Sequence, residues 1–279
     1  MYKRQDTQFA TNYRYPHLLG EYVWTGFDYL GEPTPFNSDN TNLLNFRTDP
    51  SKRAELEKQL AELARTQPPS RSSYFGIVDL AGFPKDRYYL YQSHWRPDFP
   101  MAHILPHWNW PGREGQIIPV HVYTSGTEAE LFVNGKSYGR KAKEEGKDFR
   151  LVWDSVVYQP GSVKVIAYKE GKEWAKDEIQ TTGEAKKIQL SVDHASIIGN
   201  EDELAFVTAT IVDGSGRKVP TACLPLKVEV TGCGELVATD NGDPTSFTPF
   251  QSAERESFNG LALAIVRGKK LSLIHISEP

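Results

Sequence analysis

The stretch from His121 to Lys141, HVYTSGTEAELFVNGKSYGRK, alternates apolar and polar side chains on both sides of Asn134-Gly135. A period of two sends successive side chains to opposite faces of a strand, and Asn-Gly readily takes the two positive φ angles of a tight hairpin turn. The pattern predicts two antiparallel strands with one face in a core. Phe149 to Trp153 and Val163 to Lys169 supply further short strands, with a second turn at Gly171. Together they predict a small antiparallel sandwich over residues 107–184, Ig-like in size and strand spacing. A second unit of the same kind is expected over 185–270, with strands at about 188–192, 204–212, 226–230 and 261–266 and a turn at Asp213 to Gly216. It is expected to be truncated, lacking its last strand or strands.

Before Pro106 the pattern differs. Residues 18–30, LLGEYVWTGFDYL, form an aromatic run of strand formers stopped by Gly31, Pro33 and Pro35, which predicts one buried strand and a loop. Asp49 as N-cap, Pro50 at the first helical position and Leu56, Leu60 and Leu63 predict a short amphipathic helix ended by Pro68-Pro69. A strand with its exit turn follows in YFGIVDLAG. Pro84 then opens a helix to Trp95 that turns Tyr88, Leu90, Tyr91 and Trp95 toward one side.

A chain of 279 residues needs more than one core. Its net charge of -4 offers no basic field for nucleic acid, and no apolar run approaches a membrane helix. Neither partner is expected. The 6 Trp, 13 Tyr and 13 Phe are concentrated in the first half, as flat apolar walls of a sugar site would be, although core packing explains any one of them. Cys223 and Cys233 are too few for a disulfide framework and read as free thiols, with a hairpin disulfide as the alternative. His103 and His107 have a zinc-like spacing but lack Cys or acidic partners, so packing is the better reading. Asp240-Asn241-Gly242-Asp243 lacks the spacing of a calcium loop and reads as a turn, while Trp95, Trp108 and Trp110 read as a hydrophobic seam.

Both ends look foreign. Leu271 to Pro279 (LSLIHISEP) resembles the in-frame translation of a transposase-type sequencing adapter, and residues 1–5 (MYKRQ) match its opposite strand. The native segment is then expected to run from Asp6 to Lys270, truncated on both sides.

Four segments in order, EYVWTGFDYLGEPTP, SSYFGIVDLAGFPKDRYYLYQSHW, AHILPHWNWPG and VHVYTSGTEAELFVNGKSYGRK, resemble glycoside hydrolase family 2, and most closely the β-galactosidases of gut Bacteroidetes type. The resemblance covers nearly all of residues 6–270. It implies a mainly β chain: the end of a (β/α)8 catalytic barrel over 6–106, followed by two Ig-like sandwiches. It also implies a carbohydrate substrate and a periplasmic or secreted parent, with no cofactor in this segment and none assignable to the parent.

In such a barrel the active site lies at the carboxyl ends of the strands. By the resemblance, Trp24 is an apolar wall for the terminal galactose, with a core tryptophan as the alternative. Asp28, at the strand exit, bonds sugar hydroxyls or orients a neighbour, or is a capping residue. Glu21 and Glu32 invite confusion with catalytic acids. The family's two catalytic glutamates lie on earlier strands, however, and retaining hydrolysis needs such a pair about 5 Å apart. No catalytic residue is therefore assigned here, and the chain alone is expected to be inactive. Family β-glucuronidases carry Asn and Lys where this chain has Ser73 and Phe75, so no cation meets a sugar carboxylate. A neutral sugar is favoured. A β-glucuronidase or β-mannosidase remains open within the family, as does, from another class, a noncatalytic carbohydrate-binding or adhesive Ig-like module.

Overall fold

The computed structural model describes residues 2–33, 70–199 and 203–269. The predicted helix after Asp49 and the segment Leu271 to Pro279 lie outside them. The chain is mainly β and divides into two compact units. One comprises Met1–Phe27, Phe75–Val78 and Pro84–Thr181; the other comprises Asp28–Tyr74, Asp79–Phe83 and Thr182–Pro279.

The core of the first unit is an antiparallel sandwich. Its strands are β1 (Ala102–Leu105), β2 (Val120–Thr124), β3 (Glu128–Val133), β4 (Lys136–Ala142), β5 (Leu151–Trp153), β6 (Ser162–Lys169) and β7 (Lys172–Gln180). They form a three-stranded sheet in the order β1-β2-β5 and a four-stranded sheet in the order β4-β3-β6-β7. The β3–β4 hairpin has Val133 opposite Lys136, with Asn134 at φ 49 and Gly135 at φ 80. Both central residues thus adopt the left-handed region that this turn requires. Alternation then decides what is buried. Ala129, Leu131 and Val133 of β3 and Val163, Val165 and Ala167 of β6 meet Val120, Val122, Leu151 and Trp153 of the other sheet in one core. Each valine or leucine so removed from water stabilises the fold by roughly 1.5–3 kcal/mol before entropy is counted. Trp108 is buried in the same core and donates its indole N–H to the Gln159 carbonyl at 2.9 Å. Pairing of β1 with β2 starts the sheet at Ala102, ahead of the boundary expected at 107.

Among the described residues two helices accompany this sandwich. Helix α1 (Tyr2–Arg14) was not expected. It inserts Phe9, fully buried, among Tyr91, His94 and Phe149. Its Asp6 pairs with Arg150. Helix α2 (Asp86–Trp95) lies within the predicted 84–95 and buries Leu90 and Tyr91, whereas Trp95 is exposed.

Residues 18–30 do not form the predicted buried strand. Leu19, Tyr22 and Trp24 are exposed, and regular pairing is limited to bridges, of which Phe27–Val78 is parallel. The amides of Ile77 and Val78 donate to the carbonyls of Thr25 and Gly26 at 3.1 and 2.9 Å. A strand is buried only by neighbours on both edges and faces. Here one short neighbour is present among the described residues, and apolar character alone could not supply the rest.

In the second unit, β8 (Lys187–Val192), β9 (Leu204–Val212), β11 (Gly234–Asp240) and β13 (Leu261–Gly268) form a sheet in the order β11-β13-β9-β8. The short β10 (Pro225–Lys227) and β12 (Glu254–Glu256) pair separately. Strands β11 and β12 had not been predicted, and β10 is shorter than the expected 226–230. Strand β8 lies at the predicted 188–192, yet its Ile188, Leu190 and Val192 are exposed. Cys223 and Cys233 are exposed and unbonded.

Candidate functional site

The four sugar-site residues expected from the sequence divide between the units. Trp24 and Phe75 belong to the first, Asp28 and Ser73 to the second. Trp24 is 71% exposed and so is not a core tryptophan of the described fold. Phe75 is half-buried, and its carbonyl accepts a bond from Arg87 at 2.7 Å, which ties this loop to the first turn of α2. Glu21, near Trp24, has its carboxyl pKa raised by burial, and Asn12 donates to it at 3.4 Å.

Asp28 and Ser73 are both buried. Ser73 Oγ accepts the Tyr29 amide at 3.0 Å, the Ser73 amide donates to the Tyr29 carbonyl at 2.9 Å, and Leu30 bridges Ser72. Ser73 therefore fixes the segment that carries Asp28. Glu32 is exposed beside the Tyr29 hydroxyl, to which it is hydrogen-bonded.

Sequence reasoning missed the clamp on this segment. The Arg71 amide donates to the Pro244 carbonyl at 2.6 Å, and its guanidinium donates to the carbonyls of Ser246 and Thr248 while lying 4.2 Å from the Phe250 ring centroid. Arg255, 3% exposed, holds the other side of the same loop through the carbonyls of Thr239, Thr248 and Pro249. The loop itself is the turn expected at Asp240 to Asp243: Asn241 Oδ1 accepts the Asp243 amide, and Asp243 Oδ1 accepts the Thr245 amide. The available signal was an arginine in a short strand of the second unit, which periodicity alone does not set apart.

The other candidates resolve into packing. His103 stacks on Tyr89 at 3.9 Å and its Nε2 lies 2.8 Å from Asp86, while His107 stacks on Trp110 at 4.5 Å. Among the described residues no group of three or more His, Cys, Asp or Glu could hold a metal ion.

Residues 188–276 match the glycoside hydrolase family 2 C-terminal domain 5, and residues 115–175 match a domain of unknown function (DUF4982). A β-galactosidase of Bacteroides ovatus, BoGH2A, is 41% identical over 90% of this chain. The chain carries a glycoside hydrolase family 2 carboxy-terminal region. It spans about a quarter of the length of that relative (25%) and 20% of a putative β-glucuronidase of Formosa agariphila, to which it is 31% identical over 84% of its own length. Among solved structures, a β-glycosidase from Bacteroides vulgatus superposes with a TM-score of 0.78 at 32% identity, covering 95% of this chain and 30% of its own. A family 2 member from Bacteroides cellulosilyticus gives 0.77 at 26% identity over 95% of this chain and 35% of its own.

Proposed function

We propose that this chain is the carboxy-terminal part of a retaining β-galactosidase, periplasmic or secreted, that removes terminal β-galactosides, and that it is inactive alone because both catalytic glutamates lie upstream. The observation that carries this reading is the 41% identity to the Bacteroides ovatus β-galactosidase along 90% of the chain. Within the family, Ser73 and Phe75 favour a neutral sugar: neither can neutralise a carboxylate, and an unpaired sugar carboxylate would lose its solvation without return. In this reading Trp24 offers an indole face to the CH groups of galactose. Asp28 faces sugar hydroxyls or orients a neighbour, and the Ser73–Tyr29 pairing keeps its backbone in place. The glutamate pair would come from the upstream barrel, one protonating the leaving oxygen and one attacking the anomeric carbon.

The test is recovery of the upstream reading frame and assay of the full-length enzyme on aryl β-galactoside and aryl β-glucuronide. Cleavage of the galactoside by at least ten-fold over the glucuronide, lost on substitution of either upstream glutamate, is expected. A preference for the glucuronide would assign the chain with the Formosa relatives. An upstream frame without an Asn-Glu pair and a second glutamate would remove the enzyme reading and favour a noncatalytic module.

A further inference from the structure

A cavity of about 280 Å³ opens in the first unit, away from Trp24 and Phe75, which are not among its lining residues. Its wall carries Lys143 from the loop after β4, Lys169 from the end of β6, His94 from α2 and Tyr13 from α1, with Phe149 beside them. The Lys143 ammonium donates to the Thr124 carbonyl at 2.6 Å. Lys169 donates to the Pro97 carbonyl and lies 4.6 Å from the Trp174 ring centroid. Neither amine forms an ion pair among the described residues. The acidic groups of the wall are Glu145, which is exposed, and Asp148, whose Oδ2 accepts the Glu144 amide at 2.9 Å.

Two ammonium groups and an imidazole line this cavity with carbonyl partners, whereas its two carboxylates, Glu145 and Asp148, are both exposed to solvent, and Asp148 offsets the charge of Lys143 only in part. Removing such cations from water is costly unless an anion faces them. The cost shows at two of these groups: burial, then the nearby Lys169, outweighs Asp148 and lowers Lys143 to about 8, and burial, then Lys143, lowers His94. We propose that this cavity binds a small oxyanion, a carboxylate or phosphate group, between Lys143 and Lys169. The lysines keep further N–H donors after their carbonyl bonds, since an ammonium has three, and the cavity has room for several water-sized groups at roughly 30 Å³ each. The inference does not depend on the β-galactosidase reading.

The experiment uses the full chain with ¹³C-labelled lysine, observed by NMR while inorganic phosphate, and in a separate series D-glucuronate, replaces chloride at constant ionic strength. Saturable shifts of the Lys143 and Lys169 resonances are expected, with the Lys143 titration midpoint moving up by about one unit as an anion is brought beside it. Lys143→Met should abolish the saturable shift at Lys169, and Lys143→Arg should retain it. A response to phosphate alone assigns the site to phosphate groups; a response to glucuronate assigns it to carboxylates. Wild-type lysines that respond to neither ion beyond the chloride control would overturn the proposal, whatever the variants do.

Discussion

Arg255 holds Thr239 at both of its oxygens: Nη2 donates to the Thr239 carbonyl at 2.8 Å and Nε to its hydroxyl at 3.1 Å. The remaining donors reach the carbonyls of Pro249 and Thr248 and the Ser246 hydroxyl. One buried fork thus closes the loop from Asp240 to Phe250; without it the Thr248 carbonyl keeps Arg71 and the Pro249 carbonyl keeps the Ser252 amide, but the charged tie between them and Thr239 is lost. Arg255→Met should destabilise the second unit by about 2–4 kcal/mol, because hydrogen bonds to a charged group contribute about 1.5–3 kcal/mol each and the acceptors' other partners recover part of the loss. Arg255→Lys should recover little, since one ammonium cannot span the same acceptors. Urea melts of the two variants against wild type check this; a Lys variant as stable as wild type would refute the fork geometry.

Gly161 packs against Asn134. A Cβ added at Gly161 would lie 1.8 Å from Asn134 Oδ1, and the backbone there has φ +141. Asn134 Oδ1 accepts the Ser162 amide at 2.8 Å, and its Nδ2 donates to the Pro160 carbonyl at 3.2 Å. Gly161→Ala should therefore displace Asn134 from both bonds and destabilise the first unit by about 2 kcal/mol or more. Thermal unfolding is the measurement, with Gly171→Ala as the comparison, since that turn glycine has open space at its Cβ position and a positive φ. Equal losses at the two sites would mean that backbone strain alone is responsible.

His94 and His121 both have lowered pKa values, through burial first and then through Lys143 and Arg150 respectively. A histidine whose folded pKa lies below its unfolded value binds fewer protons folded than unfolded. Stability from its neutral form is complete above the unfolded pKa, about 6.5, and is lost as pH falls through that value toward the folded pKa. The first unit should lose stability between about pH 7 and 5.5. Asp6 and Glu21, raised by burial, act in the opposite sense at lower pH. The informative measurement is accordingly the difference between wild type and His94→Phe: the variant keeps an aromatic ring in the position whose centroid lies 4.0 Å from that of Phe9 and should flatten the slope.

Trp24→Ala in the recovered full-length enzyme separates recognition from stability. At 71% exposure the side chain contributes little to folding of the described residues, and a melting temperature of the full-length variant within the equivalent of about 0.5 kcal/mol of wild type is the condition for reading its kinetics as recognition. If the indole walls the galactose subsite, kcat/KM on an aryl β-galactoside should fall by the equivalent of about 2 kcal/mol, roughly thirty-fold, with an unchanged pH profile because no proton moves at this residue. An unaltered kcat/KM in a folded variant would remove Trp24 from the site.

What the sequence by itself determined was everything governed by neighbours along the chain. Asn134-Gly135 and the alternation around it specify the β3–β4 hairpin and which of its residues are buried, because a two-residue turn and a period of two leave one consistent register. The helix at Asp86–Trp95 and the turn at Asp213, whose Oδ1 accepts the Ser215 and Arg217 amides, were legible for the same local reason. Tertiary structure decided the rest. Phe9 makes α1 part of a core only because Tyr91, His94 and Phe149, distant in sequence, surround it. The run from Leu18 to Leu30 has strand composition but few pairing neighbours, so its apolar residues stay exposed. At the candidate site, sequence and family resemblance supplied Trp24, Asp28, Ser73 and Phe75; it took the fold to show that Ser73 is occupied by the Tyr29 amide. The grip of Arg71 on the loop was likewise invisible, since a hydrogen bond across 177 residues leaves no periodic trace in the chain, and that of Arg255, although 6 to 16 residues from its partners, follows no strand or helix period either.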